Sequence, residues 1–200
     1  MDHGTDGHRT TAELEAALDD FRAAPADGGP VELVVARPSV EERAVLDEGR
    51  LDTVEGLVGD CWRTRGSSST PDGAAHPDRQ LTLINARLSR FVAVDPDTRV
   101  LAGDQLHVDL DLSVTNLPPG TQLVLGTAVI EVTEPPHTGC AKFVARFGRD
   151  AMRFVNSPVG RELRLRGMNT KVVVGGIVRP GDAVHKIPAA VRPAAALSAQ

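Results

Sequence analysis

The chain has 200 residues, 41% of them hydrophobic, and a net charge of −5, enough apolar material for one core-forming domain. The acidic balance argues against a nucleic-acid partner or an anionic membrane surface, both of which call for a dominant basic field. Two cysteines, Cys61 and Cys140, are too few for a disulfide scaffold and lie outside CxxC-type metal spacing.

Residues 1–30 are expected to comprise a disordered N-terminus and a short amphipathic helix. Thr10 and Glu13 are placed as a capping box, and Leu14, Leu18 and Phe21 recur at helical spacing before Pro25 and the Gly28-Gly29-Pro30 stop. Residues 31–187 form the main domain. Val31–Ala36 is apolar and β-branched enough for a strand, and Ser39–Glu48 reads as a helix with an acidic first turn. Cys61–Pro77 is rich in Ser, Arg and Gly and is expected to be a long loop. Leu81–Ile84 is a brief strand, followed by a helix capped by Asn85 that runs to about Val92.

Leu106, Val108, Leu110 and Leu112 alternate with His107, Asp109, Asp111 and Ser113. That period of two predicts a strand over 106–113 with its leucines inward and Asp109 and Asp111 in solvent. Gln122–Leu125 and Ala128–Val132 flank Gly126-Thr127, a hairpin signal. Phe143 and Phe147 share a helical face, and further short helices are expected over 150–155 and 160–165. Residues 169–183 read as a closing hairpin around Gly175-Gly176, and 188–200 as a flexible tail. Short strands with helical excursions, without strand-helix alternation, predict a mostly β fold with short helices, a barrel or a strongly curved sheet. No 20-residue apolar span is present, so the chain reads as cytoplasmic.

The chemistry concentrates in Pro135-Pro136-His137-Thr138-Gly139-Cys140-Ala141-Lys142. Cys140 reads either as a reactive thiol, with Lys142 favouring the thiolate if the segment is extended, or as a small buried hydrophobe. Between Ala141 and Lys171 there are eight basic residues and two acidic ones, against five and fifteen from Met1 to Asp60. Such a local excess suits a small anion. Arg79 is a candidate bidentate partner for phosphate or carboxylate, with His76 nearby as a donor or base. Asp78-Arg79 reads equally as a surface ion pair.

The ordered set Gly56-Leu57-Val58-Gly59-Asp60, His76-Pro77-Asp78-Arg79-Gln80, Leu101-Ala102-Gly103-Asp104, Asn116-Leu117-Pro118-Pro119-Gly120, Gly139-Cys140-Ala141-Lys142, Arg166-Gly167-Met168 and Val178-Arg179-Pro180-Gly181-Asp182 resembles the MOSC family. This is the C-terminal domain of molybdenum-cofactor sulfurases, which also stands alone in small bacterial proteins. The resemblance covers roughly Val31–Lys186. It implies a β-barrel-like fold and binding of the molybdenum cofactor (molybdopterin), or sulfur handling by a cysteine thiolate that matches Cys140. Cys140 is then the metal ligand, Cys140, Lys142 and His76 the catalytic set, and Arg79, Asp78, Asp60 and Arg146 the cofactor-binding set. Small bacterial members commonly carry His-Gly-Gly before the Asp-Arg pair, where this chain has His76-Pro77.

The implied activity is reduction of a small N-hydroxylated substrate, with a separate reductase as electron donor, or sulfur transfer. The alternative is a non-catalytic carrier of the pterin cofactor. A cysteine hydrolase ranks last, because no histidine has a recognisable orienting acid in the sequence.

Overall fold

The computed structural model describes residues 7–188. In chain order the elements are α1 (Thr11–Ala16), α2 (Leu18–Arg22), β1 (Gly29–Ala36), β2 (Ala44–Leu46), β3 (Gly49–Asp52), β4 (Gly56–Leu57), α3 (Trp62–Arg65), β5 (Leu81–Asn85), α4 (Ala86–Val92), β6 (Leu106–Val108), β7 (Gln122–Leu125), β8 (Ala128–Pro136), α5 (Ala141–Val155), α6 (Pro158–Glu162), β9 (Met168–Val174), β10 (Gly176–Val178) and β11 (Ala183–Lys186). A single-turn 3-10 helix at Pro77–Arg79 precedes β5, and a longer one at Pro96–Ala102 precedes β6.

Seven strands close on themselves in the order β11-β7-β8-β9-β5-β6-β1, with β1 pairing back to β11 through Gly29 and Pro30. β5 and β6 run parallel and the other barrel neighbours antiparallel. β2 extends β1 beyond the point where β11 leaves it, and β10, β3 and β4 form a small separate sheet. Closure removes the open edges that a sheet of this size would otherwise expose.

The barrel is filled by inward residues from every strand, among them Val34, Leu83, Leu106, Leu123, Ile130 and Val184, all sealed from solvent. Each such side chain contributes on the order of 1.5–3 kcal/mol relative to exposure. A second apolar cluster lies outside the barrel, where Leu14 of α1, Phe21 of α2, Leu88 of α4 and Phe143, Phe147 and Phe154 of α5 meet. The N-terminal helices are thus packed against α4 and α5. Their start carries the expected capping box: Thr10 Oγ1 accepts from the Glu13 amide, and the Glu13 carboxylate accepts from the Thr10 amide.

The Gly126-Thr127 hairpin forms with Leu125 opposite Ala128, and the Asn85 cap forms through its side-chain oxygen on the amides of Arg87 and Leu88.

Four expectations are corrected. Ser39–Glu48 is not a helix: Ala44–Leu46 pairs with Val34–Ala36, and ladder bonds to an existing strand outweigh local helix propensity. The long 61–77 loop contains a helical turn, α3. The 106–113 strand ends at Val108. Beyond it the chain bends at Leu110, and its amides reach single carbonyls, Asp109 bonding Pro30 at the start of β1 and Asp111 bonding Pro25 in the loop before it. Its leucines are buried as expected, but His107 is also sealed, its Nδ1 2.9 Å from Ser89 Oγ under α4, and Asp109 is held by Arg87 at 2.6 Å. The closing hairpin does not form. β9 pairs with β8 and β5, while β10 crosses to β3.

The expected 150–155 helix is the second half of α5, which bends at Gly148. The φ of +87° there suits a residue without a Cβ. The expected helix at 160–165 lies earlier, over α6, where Pro158 follows the Ser157 cap. The expectation for the tail falls almost wholly outside the described residues.

Candidate functional site

β8 leaves the barrel at Pro136 and delivers His137-Thr138-Gly139-Cys140 before α5 begins. Asn156, at the far end of α5, clamps this turn. Its Oδ1 accepts from the Gly139 amide at 2.9 Å and its Nδ2 donates to the Gly139 carbonyl at 3.1 Å. Cys140 is the N-cap residue of α5, exposed, with no capping bond from its side chain.

Cys140 opens on a cavity of about 450 Å³ whose wall also carries Arg79, Lys142 and Arg146. Four cations that the sequence reading did not single out for this site, Arg37, Arg43, Arg65 and Arg166, complete a set of seven, and among the described lining residues none is acidic. Cys140, Lys142, Arg79 and Arg146 therefore share one concave surface, which His76 does not join.

The cations differ in how they are held. Arg37 is locked by Asp60 in a two-pronged ion pair, Nε to Oδ2 at 2.8 Å and Nη2 to Oδ1 at 2.9 Å, and donates to the Gly103 carbonyl. Arg166 donates to Asp104 Oδ2 at 2.7 Å and to the Ala102 carbonyl, and its guanidinium lies 5.0 Å from the Phe143 ring centroid. Glu41 bridges Lys142 (2.6 Å) and Arg146 (2.7 Å) from a left-handed backbone, φ +79°. Arg43, Arg65 and Arg79 have no carboxylate within ion-pair distance among the described residues. The Nε groups of Arg43 and Arg79 are buried without an acceptor, as is that of Arg166. Burial and the neighbouring cations Arg146 and Arg37 push the Arg43 guanidinium down from its usual range. Buried donors without acceptors are costly, and a bound anion would relieve them.

Behind the cavity wall lies a second polar pair. The fully buried Asp104 carboxyl is pushed up by burial, against the opposing pull of Arg166. Its other oxygen is 3.3 Å from His137 Nδ1, too poorly aligned for a hydrogen bond, and both atoms lack another partner. Burial, followed by Arg166, Arg37 and Arg79, holds His137 well below the ordinary imidazole value, so the ring is neutral. One histidine close to the cysteine in sequence thus has an acid within ion-pair distance, but no hydrogen bond from it orients the ring.

Asp60 is expected in the cofactor-binding set. Instead it is sealed from solvent, accepts from the Trp62 and Arg37 amides as well as the Arg37 guanidinium, and acts on the cavity only by holding Arg37. His76 and Asp78 line a different cavity with Glu131 and Lys171. His76 Nδ1 accepts from the Asp78 amide and caps the Pro77–Arg79 turn, while Asp78 lies 3.7 Å from Lys171. Proline at 77 starts this turn, which sends Arg79 to one side and His76 to the other.

The proposed influence of Lys142 on Cys140 required an extended segment, but Lys142 is in the first turn of a helix and its ammonium is engaged by Glu41. Cys61 is buried beside Trp62 and does not line the cavity. Of the missed residues, Arg166 and Asp104 stand in two of the motifs that carry the MOSC resemblance, and His137 in the turn that delivers Cys140. Arg37, Arg43 and Arg65 carried no local signal.

No protein-family model matches this chain, and no curated protein matches it in sequence. Solved structures do resemble it. The YuaD protein from Bacillus subtilis is 15% identical with a TM-score of 0.52, over 80% of this chain and 97% of that one. YiiM from Escherichia coli is 20% identical with a TM-score of 0.50, over 80% and 70%. YiiM from Geobacillus stearothermophilus is 13% identical with a TM-score of 0.50, over 83% and 75%. At these identities the likeness establishes the fold, a MOSC-type β-barrel with short helices.

Proposed function

We propose that this chain binds the molybdenum cofactor in the Cys140 cavity, with the Cys140 thiolate as the protein's ligand to the metal. The observation that carries the reading is the joint presence, in one cavity, of an exposed thiol and seven cationic side chains, three of them with buried donors that lack acceptors.

The donor set suits the group. Among the described residues no three His, Cys, Asp or Glu side chains converge as a metal site, so a metal here would arrive with most of its ligands, as a pterin dithiolene provides. A thiolate is a soft ligand appropriate to such a centre. The phosphate or nucleotide end of the pterin matches planar guanidinium donors, and Arg43 and Arg79 offer theirs without a competing carboxylate. When bound, the group supplies two-electron redox chemistry at the metal. The chain holds the anion, presents the sulfur on a turn clamped by Asn156, and keeps a neutral imidazole, His137, on the cavity wall. On this reading the activity is reduction of a small N-hydroxylated compound, with electrons from a separate reductase.

The test is elemental analysis of protein made in a cofactor-competent host. Wild type should retain molybdenum close to one per chain. Cys140→Ser should lose it while folding normally, since the thiol is exposed and serine is a favoured N-cap residue. Cys61→Ser should keep it. Equal metal content in folded wild type and Cys140→Ser, or none in wild type, would remove the assignment.

A further inference from the structure

A second cavity, of about 330 Å³, adjoins the first and shares Pro136, His137, Thr138 and Arg166 with it. Its lining differs in kind. Val114, Val155, Met168 and Pro135 supply an apolar body, while Arg161 and Arg164 bring positive charge to one side. Its volume is at the lower end of the range of small-molecule sites.

Arg164 is the informative residue. Its backbone sits in the left-handed region, φ +45°, as the residue that ends α6, where the Leu165 amide donates to the Gly160 carbonyl. One nitrogen, Nη1, donates to the Leu117 carbonyl at 2.6 Å, with the Met168 sulfur 3.8 Å away. Among the described residues no carboxylate pairs with this guanidinium, and Nη2 and Nε, which are not sealed from solvent, make no hydrogen bond within the protein. Burial alone lowers its pKa, with no acidic neighbour opposing the shift. Arg166, deeper in the same wall, is by contrast already matched by Asp104. Glu134, the acidic residue of the lining, is exposed and makes no ion pair among the described residues. A half-buried cation facing an apolar chamber is an incomplete arrangement, because desolvation of the guanidinium is not offset by a counter-charge.

We propose that this cavity binds a small organic anion with a ring-sized apolar body, its carboxylate on Arg164 and its carbon skeleton against Val114, Val155 and Met168. A molecule so held lies directly across the His137-Thr138 wall from the Cys140 cavity, which makes the chamber a second, separate ligand site. The site requires neither molybdenum nor Cys140, so its test is independent of the cofactor assignment.

Titration calorimetry on the full chain, without cofactor, uses benzoate as probe, with phenyl phosphate and neutral benzyl alcohol as comparisons. Benzoate should bind with one site per chain, and benzyl alcohol at least tenfold more weakly, since it lacks the charge. Phenyl phosphate matching or exceeding benzoate would reassign the carboxylate to a phosphate and overturn that part of the proposal. Arg164→Gln should weaken benzoate at least tenfold. Because Arg164 also holds Leu117, a second variant avoids the fold: Val114, 45% exposed at the rim, changed to Trp should fill the chamber and reduce binding by a similar factor. Benzoate binding that survives Val114→Trp unchanged but is lost in Arg79→Gln would place the anion in the Cys140 cavity and overturn the proposal. Absence of benzoate binding at millimolar concentration would do the same.

Discussion

The interior of the barrel and the cavity beside it are built on opposite rules. Inside, leucines and valines from seven strands meet in a volume sealed from water, and a buried group there that lacks a partner, Thr170 Oγ1, is a neutral hydroxyl. In the Cys140 cavity seven cations crowd together, and three of them leave a buried donor without an acceptor. The first region carries no charge that calls for a counter-ion, whereas the second is finished only when something anionic arrives. The contrast shows where in a fold to look for function: at polar groups whose partners are missing rather than at those that are well satisfied.

The cavity is nonetheless anchored by finished pairs, and breaking one should give the largest effect. Asp60→Ala leaves the Arg37 guanidinium uncompensated in a buried setting, with an expected loss of about 3–5 kcal/mol in denaturant unfolding. Combining it with Arg37→Leu should recover a good part of that loss. If the single variant unfolds like wild type, the pair does not anchor the wall.

Within the barrel, Leu106→Ala should cost about 2–5 kcal/mol through lost transfer energy and the void left behind. Anion binding should survive in the folded fraction, since Leu106 does not line the cavity.

A smaller effect depends on pH. His107 is held neutral, its pKa pushed down to about 3 by burial, then by Arg99 and Arg166, whereas an unfolded imidazole titrates near 6.5. Between those values the unfolded chain binds the extra proton. This contribution to stability is therefore fully present above pH 6.5 and declines as pH falls toward 3. The slope is about 1.4 kcal/mol per pH unit for one proton. His107→Asn should flatten the acid limb of the stability profile by that amount, and an unchanged limb would show that His107 is not the responsible group.

The smallest stability change belongs to the cavity's unpaired side. Arg79→Gln removes a charge that no carboxylate matches together with a buried donor that lacks an acceptor, so stability should hold or rise slightly, while pyrophosphate affinity falls about tenfold. A large stability loss with unchanged pyrophosphate binding would make Arg79 structural and erase the distinction between the two regions.

Much of this molecule follows from local pattern. The alternation from Leu106 to Leu112 placed all four apolar residues inside, although regular pairing ended at Val108. Thr10-Glu13, Asn85 and Gly126-Thr127 each act through neighbours within a few residues, so their geometry is contained in short segments. The Cys140 turn was legible for the same reason: proline and glycine flank the thiol and keep it out of regular structure until α5 begins.

Tertiary structure decided what depends on residues far apart in the chain. Ser39–Glu48 gave up its helical pattern because β1 offered a pairing edge, and residues 176–178 left the expected hairpin because β3 did. His76 and Arg79 are three residues apart yet open on different cavities, since the Pro77 turn separates them. Glu41 reaches Lys142 and Arg146 across more than a hundred residues, and Asp104 meets Arg166 across sixty-two. Local sequence determined which segments could be strands, caps and turns, because those preferences arise from sterics and hydrogen bonds within a few residues. Closure of the barrel determined which charges met, because an ion pair's worth depends on burial and distance that exist only after the chain has folded.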